Sequence, residues 1–538
     1  TLVGPVARRA DQHDLVDAAP ADDIAELARQ AALDEELSGV GCVIFDELHY
    51  LGDPGRGPVW EEAIIHSPRH VTFVGLSATV SNADELRRWI ERVHGPMSLV
   101  WHDERAVPLE HFFFLDGALH LVRDAEGQRV ERFPDIGGEA KLARLRGRRR
   151  FTYGSEENDR AETRPATTAR GTATAGRTDA ARPEPSEPPE QPKERQAPEP
   201  GEVLSALREA GLLPCIYFLP GRRAVENSAE SAKGHLLVSP EQRARLHEEA
   251  QRWVRALPAE DQKLEQVQRL AALLPRGIAF HHAGLLPGLK VMVETLFQRG
   301  DLRAVFATDT LALGINMPAR SVVLGSMSKF DGVQMRLLTP NEYQQLTGRA
   351  GRRGMDAKGA AVIPYSPWDA FEPAFAALTA PLLPVTSAFS LRYNTILNLW
   401  APGNIGRLRL AVAASLREFQ RRGQRHNRRH DIEYDLEAAH GRRGKARDGE
   451  RANEPGGLSR AAVAELYATI AVLRSLGYIA ADETLTVKGR LLRALFHPAG
   501  VVLADLAVNG ALEGLTAAEL AEVASWFTFD DDRPLRNS

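Results

Sequence analysis

The stretch from Thr339 to Gly354, TPNEYQQLTGRAGRRG, decides how the rest of this chain is interpreted. Arg349 and Arg352 are three residues apart, a spacing that would place both guanidinium groups on the same side of one helical turn. Guanidinium stays charged and its planar fork matches phosphate oxygens, while the interleaved glycines let the backbone come close to a ligand. Taken alone, so short a motif favours a solvated basic loop. The other segments of the chain therefore carry the decision.

The composition sets broad limits. A chain of 538 residues suggests three or four domains, and 43% hydrophobic with 26% charged residues is ordinary for a globular protein. The formal charge of −5 means that any nucleic-acid site must come from local basic clustering. Cys42 and Cys215 lie in apolar runs and predict buried, reduced thiols. No apolar run is long enough for a membrane span and no signal pattern is visible, so a cytoplasmic protein is expected.

A pair of acids follows an apolar run in the stretch from Gly41 to Tyr50, GCVIFDELHY. The run predicts a buried strand, with Asp46 and Glu47 at the point where the strand leaves its sheet. Ligands of open parallel sheets bind beyond the carboxyl ends of the strands. A carboxylate there can hold Mg²⁺ and its neighbour can orient an attacking water. A solvated turn accounts for the two acids equally well.

Small hydroxyl residues follow the next apolar run, Val71 to Leu76. Ser77 and Thr79 could link one site to another through hydrogen bonds. Ser81 or Asn82 could instead cap a helix predicted from Ala83 to Val93. The two interpretations are compatible.

Apolar strands alternate with helical segments between residues 203 and 324, which predicts a parallel α/β sheet. One of these strands runs into His281 and His282 in the sequence GIAFHHAG. The pair lacks a third ligand, which argues against a metal and favours hydrogen bonds to phosphate, with a structural turn as the alternative. Another strand, Leu302 to Ala307, runs into Thr308 and the segment LGINMP at 313–318.

The remaining segments differ in composition. Residues 153–201 contain almost no large apolar side chains, which predicts disorder over about 151–200, within a charged and largely disordered linker at 121–200. Its basic run KLARLRGRRR at 141–150 could contact nucleic acid, although a solvated tail explains it better. Beyond Pro381 the chain is predicted to be helical, with an apolar helix from Thr386 to Trp400 and a charged insertion at 421–457.

A helix, two short strands and a further helix are predicted from Leu458 onward. The first helix covers Leu458 to Leu476, short strands surround Ile479 and Leu485 to Val487, and a second helix starts at Gly489. This order is typical of a winged helix. Another helix is predicted at 515–527.

Together these segments resemble a DExH-box helicase of superfamily two, and in particular the superkiller-type, exosome-associated RNA helicases. Six motifs occur in the family's order at predicted strand ends: DELH at 46–49, SAT at 77–79, CIYFLPGRRAVE at 215–226, FHHAGLLP at 280–287, ATDTLALGINMP at 307–318 and QLTGRAGRRG at 345–354. Two later segments also resemble the family: SAFSLRYNTILNLW at 387–400 and LRSLGYIAADETLTVKGRLL at 473–492. The resemblance covers about 38–115 and 203–530.

The resemblance implies an α/β fold of tandem RecA-like lobes, the first incomplete, followed by a winged-helix domain and the start of a helical bundle. The implied domains are a divergent lead-in helix, a partial first lobe, a linker, a second lobe, a winged-helix region with its insertion, and the start of the bundle, at 1–37, 38–120, 121–200, 201–380, 381–510 and 511–538. ATP and Mg²⁺ are the implied cofactors. RNA, single-stranded or partly duplex, and an RNA-degradation complex are the implied partners.

The resemblance also implies a role for each motif residue. Asp46 would hold Mg²⁺, Glu47 would activate the hydrolytic water, and Arg349 with Arg352 would approach the γ-phosphate from the second lobe. Ser77 and Thr79 would couple hydrolysis to movement of the strand. Further residues are implied to line the nucleotide cleft (Gly314, Asn316 and Gln345) or to contact the RNA backbone (His282, Gly284 and Thr308).

One departure from the family pattern opens an alternative. The family has a phosphate-binding G-x-x-x-x-G-K-[ST] loop upstream of DELH, and this sequence has none; its one Gly-Lys pair, Gly444-Lys445, is followed by Ala446. The first hypothesis is therefore an ATP-dependent RNA helicase seen in part, as a fragment or a degraded gene product. The alternative is an RNA-binding remnant or scaffold that works without nucleotide. A DNA repair helicase is a lesser alternative.

Overall fold

The structure is a computed structural model that describes residues 2–3, 37–102, 104–130, 196–312, 317–331, 334–423, 458–495 and 499–528. The predicted lead-in helix, the basic run at 141–150 and the part of the charged insertion at 424–457 lie outside these residues. So do Gly314 and Asn316. Among the described helices, none has the length and apolar composition needed to cross a bilayer.

The strands follow the apolar runs of the sequence. In chain order they are β1 Leu2–Val3, β2 Cys42–Phe45, β3 Thr72–Gly75, β4 Ser98–Leu99, β5 Leu109–Leu115, β6 Ala118–Arg123, β7 Cys215–Phe218, β8 Ile278–His281, β9 Ala304–Ala307, β10 Ser321–Leu324, β11 Ser328–Phe330, β12 Met335–Leu337 and β13 Gly359–Pro364.

The α-helices are, in chain order, α1 Gly57–His66, α2 Ala83–Val93, α3 Pro200–Glu209, α4 Arg222–Ser231, α5 Pro240–Ala256, α6 Glu265–Leu273, α7 Pro287–Gln298, α8 Pro340–Thr347, α9 Phe371–Leu378, α10 Tyr393–Leu399, α11 Gly406–Ala414, α12 Arg460–Ser475, α13 Val487–Ala494, α14 Gly500–Val508 and α15 Ala517–Thr528. Residues 416–423 are also helical.

The first compact unit combines Thr1–Glu104 with Pro381–Ser538. Its sheet has the order β2-β3-β1-β4, in which β2 and β3 are parallel and β1 is antiparallel to both of its neighbours. The core of this sheet includes the fully buried Leu86 and Trp89 of α2. The Trp89 indole donates to the Ala414 carbonyl at 2.8 Å, so the helical region after residue 381 is joined to the sheet. A second cluster around Tyr478 lies among the helices of the predicted winged-helix region.

The second compact unit is Arg105–Ala380. Its sheet has the order β6-β5-β13-β10-β7-β9-β8, and every neighbouring pair is parallel except β5 with β6. Strands β7 to β10 and β13 are buried along their whole length. Helices such as α7 cover the sheet with apolar residues, for example Leu289 and Val293. The predicted parallel α/β sheet is confirmed here.

Three predicted features differ from the structure. Residues 109–123 form β5 and β6 of the second unit's sheet, although residues 109–120 were predicted in the first lobe and residues 121–123 in the disordered linker. The helix predicted from Thr386 begins only at Tyr393, because Ser387 is held in an irregular segment: its amide donates to Gln420 and its hydroxyl accepts from the Phe389 amide. The predicted strand Leu485 to Val487 reduces to a bridge between Ile479 and Leu485.

The environment of the two cysteines also differs. Cys215 is fully buried in β7, as predicted, whereas Cys42 is exposed. The reason is the face of the sheet: residues 42 and 44 lie on the same face as their partners Thr72 and Val74, which are less buried than Phe73 and Gly75 on the other face. The prediction that both thiols are buried was wrong for Cys42.

Candidate functional site

The two acids of the DELH segment lie beyond the carboxyl end of β2, as the sequence predicts. The Leu76 amide donates to the Phe45 carbonyl and the Leu48 amide donates to the Leu76 carbonyl, both at 2.8 Å, so the chain after β2 stays paired with the chain after β3. Glu47 has φ 59° and ψ 53°, in the left-handed backbone region that residues other than Gly rarely adopt. Such backbone strain persists where the surroundings hold it.

His49 links the acids to the hydroxyl segment. Its Nδ1 lies 3.3 Å from Ser77 Oγ and 3.3 Å from Glu47 Oε2. Burial lowers the pKa of His49 below its usual value, against the opposing effect of Asp46 and Asp53, which favours the neutral ring. One imidazole nitrogen is therefore shared between Glu47 and Ser77. Thr79 is buried two residues further along.

Asn82 does not make the predicted capping bond. It occupies the N-cap position of α2, but its side chain bonds elsewhere. Its carbonyl oxygen accepts from the Val385 amide at 2.8 Å and its amide donates to the Val385 carbonyl at 3.0 Å. The side chain thus ties the segment before residue 386 to the start of α2.

In the second unit, His282 follows β8 and has both ring nitrogens occupied. Nε2 lies 2.9 Å from Glu226 Oε1, and Nδ1 accepts from the Gly284 amide at 3.1 Å. The side chain is 3% exposed, and burial lowers its pKa, although Glu226 acts in the opposite direction. His282 therefore shapes the turn at Gly284 and has no ring nitrogen left for a phosphate. Thr308 is also buried, at the end of β9, where its amide bonds to the His281 carbonyl.

Arg222 is a candidate site residue that the sequence analysis did not single out. It opens helix α4 after β7, and a Cβ added to Gly284 would lie 3.2 Å from Arg222 Cδ and 3.2 Å from Nη1. An exposed guanidinium at a helix N-terminus beside a glycine turn suits an anion. The signal was available, because Pro220 to Arg223 follows directly after an apolar strand.

The segment after helix α8 carries the two predicted arginines. Thr339 and Glu342 form a capping box that starts α8, and the helix ends at Thr347. Arg349 and Arg352 lie beyond that end, and Gly351 between them has φ +90°. The prediction that both arginines share one helical turn was therefore wrong. We call residues 348–354 the arginine loop.

Arg352 is held by Asp356. Its Nε and Nη2 donate to the two carboxylate oxygens at 2.8 Å each, and its amide donates to Asp356 Oδ2 at 2.9 Å. The side chain of Asp356 is 3% exposed, and the bond from Arg352 lowers the pKa of that carboxyl. A charged fork paired with an ionised carboxylate is a strong anchor. Arg352 is thus a structural part of the arginine loop whatever else it contacts.

Three segments of the chain match models of known protein families. Residues 8–86 match the DEAD/DEAH box helicase model, residues 258–354 match the helicase conserved C-terminal domain, and residues 482–538 match the DSHCT (NUC185) domain. The chain is 39% identical over 372 residues to "Probable helicase HelY" of Mycobacterium tuberculosis, covering 68% of this chain and 37% of that protein. It is 34% identical over 370 residues to "Exosome RNA helicase MTR4" of Homo sapiens, covering 68% and 32%.

A third relative, "Superkiller complex protein 2" of Homo sapiens, is 35% identical over 333 residues, covering 60% of this chain and 24% of that protein. The chain belongs to the DExH-box helicase family. It spans between a quarter and two fifths of the length of these relatives. The family match that starts at residue 8 extends the similarity upstream of residue 38, where the sequence analysis began it.

The residues present fit part of what a magnesium nucleotide needs in a helicase of this family. Asp46 is an exposed carboxylate at a strand end, which suits a hard cation. The amide nitrogen of Gln345 is buried and makes no hydrogen bond within the described part of the chain, so it is a donor that a ligand could satisfy. Gly314 and Asn316 lie outside the described residues, so their place in the site stays a prediction.

Proposed function

We propose that this chain is part of an ATP-dependent RNA helicase that uses Mg²⁺. The family models and the names of the relatives from Homo sapiens support the class of activity and the choice of RNA. Because the chain spans a minor share of those relatives, the activity is proposed for it and not carried over from them.

One observation carries the proposal. In the first unit, the residue predicted to activate water, Glu47, lies at the carboxyl end of a parallel strand and contacts His49, which also contacts Ser77. Residues that hydrolyse a phosphoanhydride and residues that report the event to another element need a physical connection. The imidazole supplies it, since its Nδ1 is within reach of both side chains.

The chain's own acids have separable roles. Asp46 would bind Mg²⁺, which when bound neutralises charge that develops on the phosphates. Glu47, held in the left-handed conformation at the strand end, would orient a water.

The second unit supplies cationic and amide donors. Arg349 and Arg352 would stabilise negative charge on the γ-phosphate, and Gln345 would donate to the nucleotide. Arg352 can do so through the nitrogen that Asp356 does not use, since Nε and Nη2 are engaged.

RNA would be held mainly by backbone groups and Arg222. The turn at Gly284 is kept open by His282, and Arg222 lies beside it. Contacts of this kind recognise the sugar-phosphate backbone and carry affinity without sequence information. His282 is proposed here as a support for the turn. An RNA-degradation complex is the proposed cellular setting, since two relatives carry exosome and superkiller complex in their names.

The test is RNA-stimulated ATP hydrolysis by the purified 538-residue chain. We expect Glu47→Gln to reduce turnover by roughly 10²–10⁴-fold, because an amide cannot accept a proton from the attacking water. The matched control is Glu91→Gln in the same unit, an exposed carboxylate paired with Arg87, which should leave turnover unchanged. Single-stranded DNA of the same sequence, used in place of RNA, tests the DNA repair alternative.

Absence of turnover, with RNA binding that weakens as salt increases, would overturn the helicase proposal for this chain. It would favour the RNA-binding remnant, for which the engaged fork of Arg352 is the structural support. Turnover that Glu47→Gln leaves intact would instead move the hydrolytic role to another residue.

A further inference from the structure

Arg105 makes an unusual set of contacts with the arginine loop. Its Nη2 donates to the Thr347 carbonyl at 2.8 Å and to the Ala350 carbonyl at 2.6 Å, and its Nε donates to the Val107 carbonyl at 2.8 Å. Arg105 precedes β5 and stands 242 residues before Thr347 in sequence. It lies outside every motif that carried the family resemblance.

The two carbonyls are those that fix the path of the loop. Thr347 is the last residue of α8, and the last four carbonyls of a helix have no partner within the helix. Ala350 lies between Arg349 and Gly351, where the chain reverses direction. One guanidinium nitrogen that bonds to both carbonyls holds the end of the helix and the turn of the loop at a fixed separation. A cation at the C-terminus of a helix also interacts favourably with its dipole.

Other residues near Arg105 also contact the arginine loop. A Cβ added to Gly351 would lie 2.6 Å from Val107 Cγ1, so Val107 lies directly against the loop. The loop is also bonded to Ala319, which lies two residues before β10. The Gly351 amide donates to the Ala319 carbonyl at 2.7 Å, and the Ala319 amide donates to the Arg349 carbonyl at 2.9 Å. Asp356 holds the loop from its far end through Arg352. Arg105 supplies the remaining support, at the helix end.

We propose that Arg105 is a positioning residue for the arginine loop, and that its bonds to the Thr347 and Ala350 carbonyls set where Arg349 and Arg352 present their guanidinium groups. The expected effect on ATP turnover rests on the proposed function. The expected effect on the arginine loop itself rests only on the contacts of Arg105. Lysine cannot replace Arg105 fully, because an ammonium lacks the planar fork that serves three carbonyls in fixed directions.

The first measurement is hydrogen–deuterium exchange of the whole chain, followed on peptides that contain residues 349–356. The amides of Ala350, Gly351 and Arg352 are hydrogen-bonded, so their exchange is slow enough to report opening. In Arg105→Ala we expect exchange there to be about tenfold faster, with the amides of β9 unchanged. Arg105→Lys should give a smaller increase. Arg299→Ala is the matched control, an arginine of the same unit in an exposed pair with Glu249, and should change neither region.

Loop exchange that stays at the wild-type rate in Arg105→Ala, or that rises equally in β9, would overturn the proposal. If Arg105→Ala does not fold, Arg105→Lys decides by the same comparison, and an unchanged loop in that variant would overturn it.

Kinetics separate this proposal from the proposed function. In an ATPase assay, we expect Arg105→Ala to lower kcat by about tenfold while KM changes by about twofold or less, and Arg105→Lys to restore part of kcat. An equal fall in kcat for Arg299→Ala would overturn the positioning role. If the wild-type chain hydrolyses no ATP, the proposed function fails, and the exchange measurement decides the role of Arg105 without it.

Discussion

The strand that carries the acids and the strands that lead to the other motifs are supported in different ways. In β2 of the first unit alternate residues face outward, and Ile44 is 64% exposed. In β7, β8 and β9 of the second unit every residue is buried, and Ile216 is fully buried. The second unit therefore positions its motif residues by packing, whereas the first depends more on hydrogen bonds at the strand end, such as those of His49.

One glutamate in each unit, the buried Glu61 and the half-buried Glu342, has opposite surroundings. Burial raises the pKa of Glu61 to about 7, because only Ser387, the Leu416 amide and Arg417 oppose it with any strength. Burial acts in the same direction on Glu342, but bonds from Arg336 and Lys329 and the Thr339 backbone overcome it and lower the pKa to about 2. A carboxylate with cationic partners stays charged when buried, while one with neutral partners tends to take up a proton.

The largest expected effect comes from a matched pair of isoleucines. Ile216→Ala should destabilise the second unit by about 2–5 kcal/mol, since it leaves a cavity in a filled core. Ile44→Ala should change stability by no more than about 0.5 kcal/mol, because its side chain is mostly in water. Urea titration with hydrogen exchange read on β7 and β2 peptides measures both. Equal losses at the two positions would show that β2 is as enclosed as β7, and the comparison would fail.

The second effect is opposite pH dependence of the two units. Between pH 4.5 and 7 folded Glu61 binds more protons than unfolded Glu61, so stability of the first unit falls as pH rises through that range, by on the order of 3 kcal/mol. Glu342 has a depressed folded pKa, so its contribution is present above pH 4.5 and is lost as pH falls toward 2, again on the order of 3 kcal/mol.

Unit-resolved hydrogen exchange at pH 5 and pH 8, and thermal unfolding down to pH 2, measure these slopes. Glu61→Gln should flatten the slope of the first unit near neutrality, and Glu342→Gln should remove the acid loss of the second. A wild-type first unit that is equally stable at pH 5 and pH 8 would mean that Glu61 is charged in its pocket at both values.

The sequence predicted what is encoded locally. The apolar runs that became β8, β9 and β10 are short and bounded by polar residues, so their place was clear within one or two positions. The start of α8 was not predicted, although the capping box of Thr339 and Glu342 is a local signal for it. The acids at 46 and 47 were expected at a strand end, and they lie there.

What the sequence could not predict depends on distant partners. The end of α8 is set by the loop that Arg105 and Asp356 hold, and no local signal marks that Arg105 is its neighbour across 242 residues. His282 was predicted to contact phosphate because the sequence does not show its contact with Glu226, which lies 56 residues away. The exposure of Cys42 follows from the face of the sheet on which it lies, which apolar composition does not reveal.

The smallest effect we predict sharpens the claim that the second unit positions residues by packing. Gly351→Ala meets both a left-handed φ of +90° and Val107 Cγ1 at 2.6 Å, whereas Gly354→Ala meets a φ of +75° and nothing within 4 Å. The backbone cost alone is about 1 kcal/mol, so Gly354→Ala should lose about that much. Gly351→Ala should lose about 2–3 kcal/mol, since displacing Val107 adds strain.

Thermal unfolding of the two variants measures that difference, and Val107→Ala separates its causes. If the contact with Val107 Cγ1 provides the excess, the double variant Gly351→Ala with Val107→Ala should lose less than the sum of the single changes, because that methyl group is gone and only Val107 Cβ, at 2.8 Å, remains close. Additive losses would mean that Val107 Cγ1 contributes nothing to the strain. In that case the loop is held by hydrogen bonds, as the acid strand of the first unit is, and the two units are more alike than their sheets suggest.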